Sequence, residues 1–165
     1  MKFLLAPIAW IYGFVVWLRN LLYDDHILHS TQVSIPTICV GNLAVGGTGK
    51  TPMAEYLISL LSSDYKVALL SRGYGRKTKG FRIANEHDTA QTIGDEPMQI
   101  HTHFPDIPVA VCADRVKGVK RLQQLYPDLQ CVILDDAYQH RKLRCGFYVL
   151  LTPYNRLYTN DHLLP

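Results

Sequence analysis

Gly46-Gly47-Thr48-Gly49-Lys50-Thr51 places a lysine and a hydroxyl directly behind a glycine-rich turn. An apolar run, Ile38 to Val40, leads into that turn, and a segment of helical character follows it. Glycines let backbone N–H groups crowd around a phosphate, and the start of a helix adds a dipole that favours an anion. In this pattern Lys50 reaches the β/γ-phosphates and the Thr51 hydroxyl ligates Mg²⁺. The chemistry is the binding of a nucleoside triphosphate, with Gly46, Gly47, Thr48, Gly49, Lys50 and Thr51 around its phosphates. The general pattern has a glycine where this chain has Ala44. The strand before, the helix after and the Gly46-Gly47 pair carry the reading.

Carboxylates supply the second ingredient. Cys131-Val132-Ile133-Leu134-Asp135-Asp136 is an apolar strand ending in an acidic pair, roughly 85 residues after the loop. A buried strand holds such an acid rigidly where it can take Mg²⁺ or its waters. Gly94-Asp95-Glu96-Pro97 sets two more carboxylates in a turn before a helix-like segment. Asp95 reads either as the N-cap of that helix or as a general base for a hydroxyl that attacks a phosphate. Arg72, Arg76, Lys77, Lys79 and Arg82 form a basic cluster with Gly73 and Tyr74 interleaved. It is either a solvated loop or an anion clamp, since arginine forks suit phosphate. His140 follows the Asp pair in Gln139-His140-Arg141 and is the histidine best placed for a site role. His101 and His103 point apart on a helix, and no zinc spacing or Ser-His-Asp order emerges.

The elements that must position these groups alternate. Ile38–Val40, Val67–Leu70, Val109–Cys112, Cys131–Leu134 and Phe147–Leu151 are short apolar runs bounded by turn or charged residues. Thr51–Ser62 and Asp114–Leu125 have helical spacing, with Asp114 as the N-cap of the second. Strands alternating with helices predict a P-loop α/β fold: a parallel sheet with flanking helices, and ligands at the carboxyl ends of the strands. The loop, the Ser71–Arg76 segment and the Asp pair all fall at such ends. The 165 residues suffice for one domain with a core. The formal net charge of +3 gives no footprint of nucleic acid and suits an anionic substrate or a membrane surface. Four widely spaced cysteines read as buried free thiols in a reducing compartment.

The N-terminus is unusually apolar. Phe3 to Leu18 is a run of 16 uncharged residues. As a helix it reaches about 24 Å, short of a hydrocarbon core of ~30 Å. Trp10, Tyr12, Trp17 and Tyr23 suit the headgroup level, and Pro7 stands where a helix tolerates it. We therefore divide the chain into a membrane-associated helical region, residues 1–32, and a P-loop kinase-type domain, residues 33–165. The polar tail after Tyr154 reaches Pro165 without a closing element, as expected of a truncated chain.

Four motifs combine in order: VGNLAVGGTGKTP, SRGYGR, GDEP and LDDAYQH. Together they resemble the tetraacyldisaccharide 4'-kinase (lipid A 4'-kinase) family. The resemblance implies an enzyme at the cytoplasmic face of the inner membrane. It would transfer the γ-phosphate of ATP to the 4'-hydroxyl of an acylated glucosamine disaccharide 1-phosphate, giving lipid IVA. By motif match Asp95 takes the catalytic carboxylate role, Lys50 and Thr51 the phosphate and magnesium roles, Asp135 and Asp136 the acidic pair at the metal, and His140 the histidine closing that motif. Ala137 and Tyr138 replace a Gly and a Phe usual in the family. The family pattern also continues past Pro165 into a further domain that supplies a histidine partner for the catalytic Asp. Two rival classes stay open on the residues: a P-loop ATPase or GTPase acting as switch or chaperone, and a nucleotide-binding fragment without activity.

Overall fold

The computed structural model of the chain describes residues 6–42 and 48–154. The glycine-rich stretch containing Gly46 and Gly47, and the tail from residue 155, lie outside the described residues.

Five apolar runs become the strands of one parallel sheet. They are β2 (Thr37–Asn42), β3 (Val67–Ser71), β5 (Val109–Val111), β6 (Cys131–Leu134) and β8 (Phe147–Leu151). Two-residue strands β1 (Thr31–Gln32), β4 (Arg82–Ile83) and β7 (Leu143–Arg144) complete the set. The main sheet runs β4-β5-β3-β6-β2-β8, and every pairing is parallel except the edge pair β4·β5. β1 and β7 pair separately, also in parallel. The loop strand β2 therefore sits between β6, which carries the Asp pair, and β8.

The helices are α1 (Ala6–Asp24), α2 (Lys50–Leu61), α3 (Ala90–Ile93), α4 (Asp95–His103) and α5 (Arg115–Leu125). Strand alternation sorts the core into two layers. Val40, Leu69, Val109 and Ile133 face α2 and α4 through Ala54, Ile58 and Ile100. Cys39, Ala68, Leu70, Ala110, Val132 and Leu134 face α5 through Val116, Val119 and Leu122. Each of these side chains leaves water almost completely, contributing roughly 1.5–3 kcal/mol for a Val, Leu or Ile. A sheet buried on both faces explains why its strands read as continuous apolar runs rather than alternating ones. All four cysteines lie buried and unbridged.

Two helix starts show how the residues set the boundaries. Asp114 caps α5, its carboxylate accepting from the Lys117 N–H at 3.1 Å. α4 begins otherwise than the acid-rich turn predicts. Its N-cap is Gly94, and Asp95 is the first helical residue. Gly94 has φ +97°, and a Cβ there would come within 2.9 Å of the Tyr74 carbonyl oxygen, so only glycine fits the junction. The Ser71–Arg76 loop and the Gly94 turn are thus packed backbone to backbone.

Candidate functional site

Because β2, β3, β5, β6 and β8 run the same way, the residues that follow them share one edge of the sheet. Gly49 takes φ +82° as the N-cap of α2 and makes no side-chain capping bond, so the helix presents its first N–H groups toward that edge. Asn42, the last residue of β2, organises the two ends of the turn. Its amide donates to Thr48 Oγ1 at 2.6 Å and accepts from Lys50 Nζ at 3.2 Å. Lys50 Nζ also lies 3.5 Å from Asp136. Thr51 follows in the same first turn of α2. The lysine is thereby held at the mouth of the loop, shared between an amide and a carboxylate. Both can be exchanged for a more highly charged partner.

Asp135 continues the β6 ladder, its N–H donating to the Leu70 carbonyl at 3.1 Å. Alternation with Ile133 turns its side chain to the α2/α4 face. It is fully buried, and neither carboxyl oxygen has a hydrogen-bond partner. Burial pushes its pKa up to about 7, helped by the charges of Glu96 and Asp136 and opposed by Lys50 and Arg115. Such an orphaned carboxyl is expensive unless something satisfies it. A divalent cation would. Among the described residues no three His, Cys, Asp or Glu side chains converge on one point. That suits Mg²⁺, which takes one or two carboxylates and finds its other ligands in water and phosphate.

Asp136 adopts φ +49°, an uncommon conformation for a residue other than glycine. Arg115 braces it from behind. The buried guanidinium donates to the carbonyls of Cys112 at 3.0 Å, Ala113 at 3.1 Å and Asp136 at 3.3 Å. Its burial, and next the charge of Arg72, lower its pKa. Gly41 permits the close approach of the same loop, since a Cβ there would meet Tyr138 Cβ at 2.4 Å.

Sequence-predicted residues fall into two groups. Thr48, Gly49, Lys50, Thr51, Asp135 and Asp136 lie together at the carboxyl ends of β2 and β6. Asp95 is exposed at the start of α4, next to Glu96, whose charge reaches Asp135. Gln99 and His103 of α4 both contact Glu55 of α2, at 2.9 and 2.8 Å, which locks the two helices side by side. His140 stands apart. Its charged neighbours are Arg115, Asp114, Lys142 and Arg19, and no described contact joins it to Lys50 or Asp95. Burial, then Arg115, lowers its pKa, so the ring is neutral at neutral pH, with Nε2 buried and unpartnered. Three further site residues were not singled out from the sequence. Asn42 and Glu96 stand inside the VGNLAVGGTGKTP and GDEP motifs without a role of their own, and Arg115 lies in none of the motifs.

Comparison with known proteins finds a family and a fold that this chain resembles. The sequence profile of the family described as "Tetraacyldisaccharide-1-P 4'-kinase" matches residues 1–165. Proteins named tetraacyldisaccharide 4'-kinase are similar throughout. That of Flavobacterium johnsoniae is 52% identical over 162 residues, 98% of this chain and 48% of the relative. That of Flavobacterium psychrophilum is 54% identical over 161 residues, covering 98% and 47%. That of Bacteroides thetaiotaomicron is 51% identical over 162 residues, covering 98% and 43%. The chain spans about half the length of these curated relatives. Its fold resembles the crystal structure of the "apo" form of LpxK from Aquifex aeolicus in complex with ATP, with a TM-score of 0.80 and 39% identity over 88% of this chain and 47% of that one.

Proposed function

Because the chain belongs to the tetraacyldisaccharide-1-P 4'-kinase family, we propose that it forms the nucleotide-binding part of an ATP-dependent kinase. The acceptor is the 4'-hydroxyl of an acylated glucosamine disaccharide 1-phosphate, and the product is the lipid A precursor lipid IVA. The observation that carries the reading is the buried, unpartnered Asp135 beside the Lys50–Asp136 pair, at the helix start that follows β2. A strand end that holds two carboxylates and a lysine around an open helix N-terminus is built for a metal-bound triphosphate.

Each residue then has a task. Lys50 would leave Asp136 and Asn42 for the β/γ-phosphates, with the N–H groups from Thr48 to Thr51 beside them. Thr51, Asp135 and Asp136 would hold Mg²⁺, which supplies neutralisation of charge spread over the transferring phosphoryl oxygens. Asp95, exposed at the start of α4, accepts the proton of the acceptor hydroxyl. His140 offers a neutral ring at the end of the loop for a polar partner.

The apolar α1 fits the lipid nature of that acceptor. No described helix is long and apolar enough to cross a membrane. Phe14, Val15, Trp17, Leu18 and Leu21 are nevertheless exposed on α1. We assign residues 1–32 to a membrane-associated region lying in the cytoplasmic leaflet of the inner membrane, and residues 33–165 to the kinase domain.

The roles of Lys50 and Asp95 separate in one experiment on the complete protein. Lys50→Ala weakens ATP binding, whereas Asp95→Ala keeps it and lowers turnover by about 10²-fold or more. Calorimetric ATP titration alongside turnover reads both. Wild-type turnover by Asp95→Ala removes it as the base.

A further inference from the structure

Two helices start at the site edge, and each carries one side of the proposed transfer. α2 begins at Lys50 and Thr51, and α4 begins at Asp95. Ala54 and Ile58 of α2 and Ile100 of α4 share one apolar layer, so both helices lie on the same face of the sheet. α2 leads into β3 and α4 into β5, two parallel neighbours, so the helices run side by side in the same direction.

Residues four apart on a helix lie on one face, one turn below the other. Thr51 and Glu55 are so spaced on α2, and Asp95, Gln99 and His103 on α4. The two stripes meet. Glu55 Oε1 accepts from Gln99 Nε2 at 2.9 Å and from His103 Nδ1 at 2.8 Å. A carboxylate can only accept, so the His103 ring carries its hydrogen on Nδ1. The Glu55 side chain is 21% exposed, which leaves the bridge partly shielded from water. It lies one turn, about 6 Å, below the two helix starts. The residues one turn above it on the same faces are Thr51 and Asp95.

The apolar layer does not need an acid at this position. Ala54, Ile58 and Ile100 supply the packing, and such packing is non-directional, so it tolerates small rotations and slides of one helix on the other. Two hydrogen bonds that converge on one oxygen are directional and do not. α4 has only nine residues, so a rotation permitted along its length is carried to Asp95 at its first position.

Resting on the kinase reading, we propose that Glu55 is a positioning residue for phosphoryl transfer. By holding Gln99 and His103 it fixes the rotation and height of α4 against α2. Asp95 is thereby set at a constant distance from the lysine and hydroxyl that hold the donor. Glu55 touches neither substrate and acts through Asp95. Proton removal from an attacking hydroxyl depends on close placement, and a misplacement of about 1 Å can cost about 10²-fold in rate.

Steady-state kinetics of the complete protein with ATP, Mg²⁺ and the acylated disaccharide 1-phosphate test this. Glu55→Ala is expected to lower kcat by about tenfold or more and to keep KM for ATP within about twofold of the wild type. Glu55→Gln retains the Oε1 acceptor and is expected to restore most of the loss. Gln99→Ala removes one of the two bonds without altering α2, and a smaller loss of the same kind is expected. In an Asp95→Ala background Glu55→Ala is expected to cost little more, because both changes act through one group. Undiminished kcat in both Glu55→Ala and Gln99→Ala overturns the proposal. So does a loss that multiplies in full with that of Asp95→Ala, or one that Glu55→Gln does not restore. A raised KM for ATP with kcat unchanged also overturns it, because Glu55 would then support the nucleotide helix alone. A wild type that binds ATP and transfers no phosphate refutes the kinase reading itself, whereas transfer that survives loss of the bridge refutes only the positioning role.

Discussion

Asp135 ends a buried strand with both carboxyl oxygens unpartnered and its pKa raised to about 7, against an ordinary value of about 3.9. Between these values the folded state holds a proton that the unfolded state has released. The folded state binds more protons, so stability falls as pH rises through that window, and the penalty is complete above about pH 7. Without divalent metal, Asp135→Asn is expected to gain on the wild type by about 2–3 kcal/mol between pH 5 and pH 8. Urea unfolding of both proteins across that range reads the difference. A gap between the two that does not widen with pH contradicts the buried, uncompensated carboxyl. The acidic pair was legible in the sequence because an apolar run ending in acids has few other readings once a glycine-rich loop precedes it. The roles of Asn42, Arg115 and Glu96 were not legible, although Asn42 and Glu96 lie inside two of the motifs. They come from through-space interactions with Lys50, the Asp136 carbonyl and Asp135, which position in a motif does not announce.

At the scale of elements, α1 is both exposed and tethered. Arg141 donates to the Asn20 carbonyl at 3.1 Å and to Asp24 at 2.5 Å, and its guanidinium lies 5.3 Å from the Tyr23 ring centroid. Arg19 reaches back to the Gln139 carbonyl at 3.3 Å. The last turn of α1 is thus fastened to the loop that follows the Asp pair. Its other exposed face carries Phe14 and Trp17, whose rings lie 5.8 Å apart. Replacing Phe14, Trp17 and Leu21 together by serine leaves the tether residues in place. The wild type is expected to float with anionic lipid vesicles and the triple variant to stay in the aqueous fraction with unchanged far-UV circular dichroism. Equal partition of the two would return α1 to a purely structural role. The five principal strands and α2 and α5 were legible because long apolar runs of fixed period leave little choice. β1, β4, β7 and α3 span two to four residues, too short to have a period, and only their partners define them. The start of α4 was misplaced by one residue. An acid before a helix reads as a cap, whereas close packing on Tyr74 forces glycine into that position.

Across the whole molecule, one edge of a parallel sheet gathers the candidate groups. On the proposed reading the end of β2 would face the donor phosphates and the end of β6 a metal. The start of α4, with Asp95, would face the acceptor, while α1 is tethered to the loop after β6. This layout gives the order of the four motifs a spatial meaning, since each falls beyond a carboxyl end or at a turn packed against one. The fold class was accessible from alternation alone. Which strands neighbour β2 was not, because pairing order depends on crossovers that apolar runs do not encode. The central claim is that this edge carries phosphoryl transfer to a lipid sugar, and it is tested most directly by position-resolved transfer. The complete protein is incubated with γ-labelled ATP, Mg²⁺ and the acylated disaccharide 1-phosphate, and the product is located by ³¹P NMR. The account predicts label on the 4'-oxygen of the disaccharide, abolished by Lys50→Ala. Release of labelled inorganic phosphate at the same rate with and without the lipid, and no 4'-phosphorylated product, would contradict it.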